Sequence, residues 1–160
     1  RSREDYRMDE RKTQMTKIKP FCKWVGGKTQ LLPQLLELCP KKFNTYHEPF
    51  VGGGALYFAL QPPVAYLTDY NMRLINAYNC VKNCLQEVIV HMQSFTRSSE
   101  CYYEQRKLLN KEGYLIQDSE ATARFIFLNK TCYNGLWREN SSGEFNVPYG
   151  GDRKGNSLMN

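Results

Sequence analysis

The chain has 160 residues, of which 41% are hydrophobic and 13% aromatic, a composition that excludes a wholly disordered protein and suits a domain with a real core. A formal net charge of +6 favours a polyanionic partner such as nucleic acid, although the Lys and Arg residues are spread along the chain and form no block. No run of about 18 apolar residues is present and no apolar h-region opens the chain, so we expect an intracellular, cytoplasmic protein without a membrane span or secretory signal.

Residues Arg1 to Thr16 are nearly all charged or polar, lack hydrophobic periodicity and are expected to form a disordered tail. Gly26-Gly27-Lys28-Thr29 ends like a phosphate-binding P-loop. However, Cys22 stands where that motif needs its first glycine, and no strand leads into it. A lysine at a helix start beside a glycine turn can still bind a carboxylate. Leucines 31, 32, 35, 36 and 38 have helical spacing, and Pro40 stops that helix. Cys39-Pro40 reverses the Pro-Cys order of cytosine-C5 methyltransferase nucleophiles, and is read as a plain helix end.

An extended run, Thr45 to Phe50, leads into Gly52-Gly53-Gly54. A buried helix starts at Ala55 and is broken by Pro62-Pro63, and a short strand over Val64 to Thr68 ends at Asp69. Strand, glycine turn, helix, strand and acid in that order open a doubly wound α/β sheet. The glycines let a ligand approach the main chain, and a carboxylate at the end of the second strand can accept two hydrogen bonds from ribose hydroxyls. The unit therefore suits an adenosine-containing cofactor; a left-handed glycine turn followed by a helix-capping Asp fits the same residues. Gln61-Pro62-Pro63-Val64 superficially resembles the D-P-P-Y motif of amino-methyltransferases. Gln replaces the acid and Val the aromatic, and its place between helix and strand suits a connecting turn.

From Asn71 to Lys130 the pattern is helical, with Leu74, Ile75, Tyr78 and Val81 marking one face and Phe125 and Leu128 another. Breaks near Ser98-Ser99 and Gly113 predict three or four helices and no strands. The six cysteines form no C-x-x-C pair and only His47 and His91 accompany them, so reduced, buried thiols are expected rather than a metal site. Two short runs, Gly135 to Arg138 and Glu144 to Val147, flank Asn140-Ser141-Ser142-Gly143 and read as a β-hairpin.

Lys23-Trp24-Val25-Gly26-Gly27-Lys28, Glu48-Pro49-Phe50-Val51-Gly52-Gly53-Gly54 and Thr68-Asp69-Tyr70-Asn71 follow in order, and Phe127 to Lys130, Tyr133 to Arg138 and Gly143 to Gly150 follow later. Together, from about residue 19 to 151, these segments resemble the Dam-type, D12-class DNA adenine-N6 methyltransferases. The resemblance implies an α/β fold: a truncated Rossmann-like core that uses S-adenosyl-L-methionine, with an α-helical DNA-recognition insert ending in a β-hairpin. It places the tail at 1–16, the cofactor-binding part at 17–75, the insert at 76–155 with its hairpin near 133–149, and a truncated end at 156–160.

The same resemblance implies cofactor contacts from Trp24, Lys28, Phe50, Gly52, Gly54 and Asp69. It implies DNA contacts from Tyr133, Asn134, Leu136, Arg138, Asn146 and Pro148 at a GATC-type site, with Tyr133 entering the base stack. Trp137 is undecided between DNA and core. The implied partner is double-stranded DNA and the implied state a monomer, without metal or membrane. In the family D-P-P-Y follows the insert, and these 160 residues contain no such motif. The expectation is therefore an inactive fragment with no catalytic residue of its own. The alternatives are a non-enzymatic DNA-binding remnant, which shares every motif here, and a nucleotide-binding protein of another kind, which would bind ATP and not DNA.

Overall fold

The computed structural model describes residues 6–7, 18–113 and 118–151; the expected truncated end at 156–160 lies outside them, as does the expected tail apart from residues 6–7. The chain divides into two compact units. One comprises Arg1–Phe21 and Gly26–Tyr70, the other Cys22–Val25 and Asn71–Asn160.

In the first unit, β1 (Tyr6–Arg7) pairs antiparallel with β2 (Lys42–Phe43). A 3-10 turn over Lys28–Leu31 runs into α1 (Leu32–Leu38), with Pro33 in its first turn, where its missing N–H breaks no helical bond. The helix ends at Cys39, whose backbone is extended ahead of Pro40. Next come β3 (Tyr46–Glu48), α2 (Ala55–Leu60) and β4 (Ala65–Leu67). β3 and β4 pair in parallel, Tyr46 opposite Ala65 and Glu48 opposite Leu67, which makes β3–α2–β4 a β-α-β unit. α2 stops at Gln61, which takes a left-handed backbone with φ 47° immediately before Pro62. Gln61 to Val64 is thus the connection between α2 and β4, as a plain turn should be.

The second unit packs α3 (Met72–Asn83), α4 (Leu85–Gln93) and α5 (Ser99–Glu112) against α6 (Ser119–Thr131). Asn71, Ser98 and Asp118 cap α3, α5 and α6, their side-chain oxygens accepting the amides of Leu74, Cys101 and Ala121. Each such cap is worth about 1 kcal/mol. α6 is enclosed on nearly every side, from Ala121 through Asn129, as expected of a central helix. Its Phe125, Phe127 and Leu128 meet a core that includes Leu74, Ala77, Val88, Met92, Tyr102 and Leu109.

Three sequence expectations change here. The enclosed side of α3 carries Arg73, Leu74, Asn76, Ala77 and Cys80, while Ile75, Tyr78 and Val81 are only half-buried. Polar residues disguised that stripe. Asn76 is satisfied inside by donating to Thr122 Oγ1 at 2.9 Å and to the Asp118 carbonyl at 3.2 Å. The α3–α4 break falls at Cys84, where neither Gly nor Pro marks it. Finally, the hairpin is not a continuous ladder. Tyr133–Gly135 forms a 3-10 turn, and the two runs meet at isolated bridges, Cys132 with Tyr149 and Glu139 with Phe145. The cause is competition for backbone groups. Asn110 takes both the amide and the carbonyl of Phe145, and the Asn140 side chain takes the amides of Ser142 and Glu144.

Candidate functional site

The glycine turn of the first unit is held by its acid. Gly52 and Gly54 have φ of 52° and 73°, a left-handed backbone that a Cβ would penalise. The Gly52 N–H donates to Asp69 Oδ2 at 2.9 Å, and the Val51 N–H donates to the Thr68 carbonyl at 3.0 Å. The turn after β3 and the end of β4 are thereby tied together. Phe50, at the mouth of the turn, is 75% exposed.

Beside it stands a carboxylate that the sequence reading left out. Glu48, the last residue of β3, is buried. Its Oε2 accepts from the Tyr46 hydroxyl at 2.7 Å, and its Oε1 lies 3.0 Å from Lys28 Nζ. Lys28 also donates to the Phe50 carbonyl at 2.7 Å, so it fastens the start of the 3-10 turn to the glycine turn. Burial, and next the hydrogen bond to Glu48, raise the Tyr46 hydroxyl above the usual tyrosine range. A lysine at a helix start beside a glycine turn does bind a carboxylate here, and that carboxylate is Glu48. Glu48 is the one buried residue of β3, and a buried carboxylate needs a partner that only the fold brings to it.

Lys28, Phe50, Gly52, Gly54 and Asp69 all belong to this first unit. Trp24 belongs to the second. Its ring lies 6.2 Å from Trp137, nearly parallel, and 6.2 Å from Phe125. The preceding Lys23 is clasped by Asn129, which accepts its amide and donates to its carbonyl at 2.8 and 2.7 Å.

The second unit presents a sharply divided loop. Trp137, Phe145 and Val147 are buried, whereas Leu136, Arg138, Asn146 and Pro148 between and beside them are exposed. Tyr133 and Asn134 are exposed as well, Tyr133 at 51%. Every residue expected to touch DNA therefore lies on the solvent side. Trp137, undecided from sequence, is core: it stacks on Phe145 at 4.2 Å and packs on Phe125 at 4.4 Å. Arg138 Nε donates to Asn146 Oδ1 at 2.8 Å, a contact that orients the guanidinium on the outer face.

The inner face is anchored to α5. The Val147 carbonyl accepts from the Tyr102 hydroxyl at 2.7 Å and from Arg106 at 3.1 Å. Gly150 seals the base of the loop: its amide donates to the Thr131 carbonyl, and a Cβ there would lie 2.7 Å from the Cys132 carbonyl oxygen. Lys130, at the end of α6, has its pKa lowered, first by burial. Among the described residues no group of His, Cys, Asp and Glu could hold a metal ion, and no helix is long and apolar enough to cross a membrane.

One unit thus carries a parallel β-α-β element with an acid-braced glycine turn, and the other a helical core with a loop whose polar and aromatic side chains face solvent. The chain belongs to the D12 class of N6 adenine-specific DNA methyltransferases, whose family description it matches over residues 24–159. It is 40% identical over 136 residues to a type II methyltransferase of Lactococcus lactis, covering 83% of this chain and 48% of that protein. A type II methyltransferase of Methanocaldococcus jannaschii is 42% identical over 151 residues, 83% of this chain and 52% of its own length. The DNA adenine methylase of Escherichia coli K12 is 38% identical over 145 residues, 88% and 50% respectively. The chain thus spans about half the length of the relatives it matches.

Proposed function

We propose that the protein carrying these residues transfers a methyl group from S-adenosyl-L-methionine to adenine N6 in double-stranded DNA, at a GATC-type site. The observation that carries the reading is the bond from the Gly52 amide to Asp69, which sets a left-handed glycine turn and a carboxylate side by side at the ends of two parallel strands. The β3–α2–β4 unit is then the opening of a Rossmann-like core, and residues 76–155 are the recognition insert.

The residues fit the cofactor. Gly52 and Gly54 allow close approach of a ligand to the backbone, Asp69 offers a carboxylate to ribose hydroxyls, and exposed Phe50 offers an aromatic face. Lys28, held by Glu48, supplies a cation for a carboxylate group. Trp24 is read as a further cofactor contact on the strength of the family match. When bound, S-adenosyl-L-methionine supplies an electrophilic methyl group on its sulfonium. On the DNA side, Arg138 can donate bidentately to guanine O6 and N7, and Tyr133 can fill a stack from which a base has been turned out. Asn134, Leu136, Asn146 and Pro148 complete the reading face.

No residue here matches D-P-P-Y, so a polypeptide limited to these 160 residues is expected to be inactive. Positioning of two reactants accounts for roughly 7–11 kcal/mol of a barrier, and its loss takes the rate below detection. The test is transfer of tritiated methyl from S-adenosyl-L-methionine to a GATC duplex by the protein that carries these residues. Incorporation that disappears when the adenine is already N6-methylated is the expected result. Absence of incorporation together with absence of cofactor binding would refute the reading.

A further inference from the structure

Resting on the reading of residues 133–148 as the DNA face, we propose that Arg73 and Glu139 are positioning residues for base discrimination. They form a buried ion pair that fixes where Arg138 meets the duplex. Glu139 follows Arg138 directly and points the opposite way, inward. Its Oε1 gathers three donors: Arg73 Nη1 at 2.9 Å, the Trp137 indole N–H at 2.9 Å and Asn71 Nδ2 at 3.2 Å. Arg73 Nη1 also donates to the Gly143 carbonyl at 3.1 Å, and Nη2 to the Leu109 carbonyl at 3.4 Å. One guanidinium therefore joins the start of α3, the end of α5 and both sides of the loop tip. The side chains of Arg73 and Glu139 are only 6% and 16% exposed.

Stability alone gives little reason for this pair. An arginine in the first turn of α3 opposes the helix dipole, and a buried ion pair is seldom better than apolar packing of the same volume. What the pair contributes is geometry. With Glu139 pinned from below, the peptide joining it to Arg138 is fixed. The Arg138 carbonyl then receives the Asn146 amide at 3.2 Å, while the Arg138 side chain is braced by Asn146 Oδ1. A base-reading fork must be held to within about 0.5 Å to discriminate, and Arg138 has no partner on the outer face, among those described above, except Asn146.

The experiment uses the full chain and fluorescence anisotropy with a GATC duplex and duplexes carrying single base-pair changes within it. Arg73→Met, Glu139→Gln and the double variant are compared with wild type and with Arg138→Ala. S-adenosylmethionine affinity and thermal midpoints are measured in parallel. The double variant leaves no unpaired buried charge, so it serves if a single variant does not fold. Each variant is expected to lower the ratio of cognate to changed-site affinity by about tenfold, in the direction of Arg138→Ala, with cofactor affinity unchanged. A merely structural role would lower the thermal midpoint and weaken all duplexes in the same proportion. Folded variants that keep the wild-type ratio would overturn the positioning role while the DNA reading stands. A wild-type protein that does not discriminate among the duplexes would overturn the reading of the loop and this proposal with it.

Discussion

Replacing Asp69 should damage the protein in two separable ways. Its Oδ2 accepts the Gly52 N–H at 2.9 Å, and Gly52 is buried, so Asp69→Ala takes a charged acceptor from an enclosed amide. That loss is worth about 1–3 kcal/mol of turn stability. If the carboxylate also receives ribose hydroxyls, the loss of hydrogen bonds to a charged group costs a further 1.5–3 kcal/mol or so in cofactor binding. At about 1.4 kcal/mol per decade, affinity then falls roughly 10- to 150-fold. Asp69→Asn separates the effects, because the amide oxygen can still accept from Gly52 while the negative charge is gone. The expected pattern is a lowered thermal midpoint and weak binding for Asp69→Ala, but a near-wild-type midpoint and intermediate binding for Asp69→Asn. Isothermal titration calorimetry with S-adenosyl-L-methionine, beside thermal melts, gives both numbers. A folded Asp69→Ala variant with wild-type affinity would refute the cofactor role. Equal destabilisation by Ala and Asn would show that the Gly52 bond does not hold the turn.

On the DNA side, Arg138→Ala should relax discrimination at one position of the site by about 1–3 kcal/mol if the side chain reads a base. If it touches phosphate alone, salt titrations should show uniform weakening and a slope reduced by about one unit. Trp137 should behave as core: Trp137→Ala should cost about 3–5 kcal/mol in denaturant unfolding, whereas Trp137→Phe should keep most of that packing and lose the indole donor to Glu139. Burial pushes the Cys22 thiol up from 9.0 to about 12. The folded state therefore holds this proton where the unfolded chain releases it, so the contribution is complete below pH 9 and is lost as pH rises toward 12. Over that window stability should fall by about 1.4 kcal/mol per pH unit on account of Cys22, and Cys22→Ala should flatten the slope by one proton. Urea melts at several alkaline pH values measure it, and an unchanged slope would contradict the burial of this thiol.

What the sequence determined by itself was local. Pro62, Gly52 and Gly54 restrict φ or tolerate a left-handed turn whatever surrounds them, so the strand-turn-helix-strand order and the place of Asp69 were legible. The same holds for Ser98 capping α5 and Gly113 ending it, with φ 64°. The two short runs flanking Asn140 to Gly143 were legible too, though not which of their residues would be buried.

Tertiary structure decided everything that depends on a distant partner. The pairing of Lys28 with Glu48, the clasp of Asn129 on Lys23 across 106 residues, and the ion pair of Arg73 with Glu139 across 66 have no local signature. Arg73 and Asn76 lie on the enclosed side of α3, although polarity argues for solvent, because Glu139 and Thr122 satisfy them there. The hairpin's ladder was interrupted for the same reason. Backbone groups that could pair across the loop go instead to the Asn110 side chain of α5 and to Asn140. A hydrogen bond is satisfied by whichever donor the fold brings within reach, and that choice is fixed only when the helices have packed.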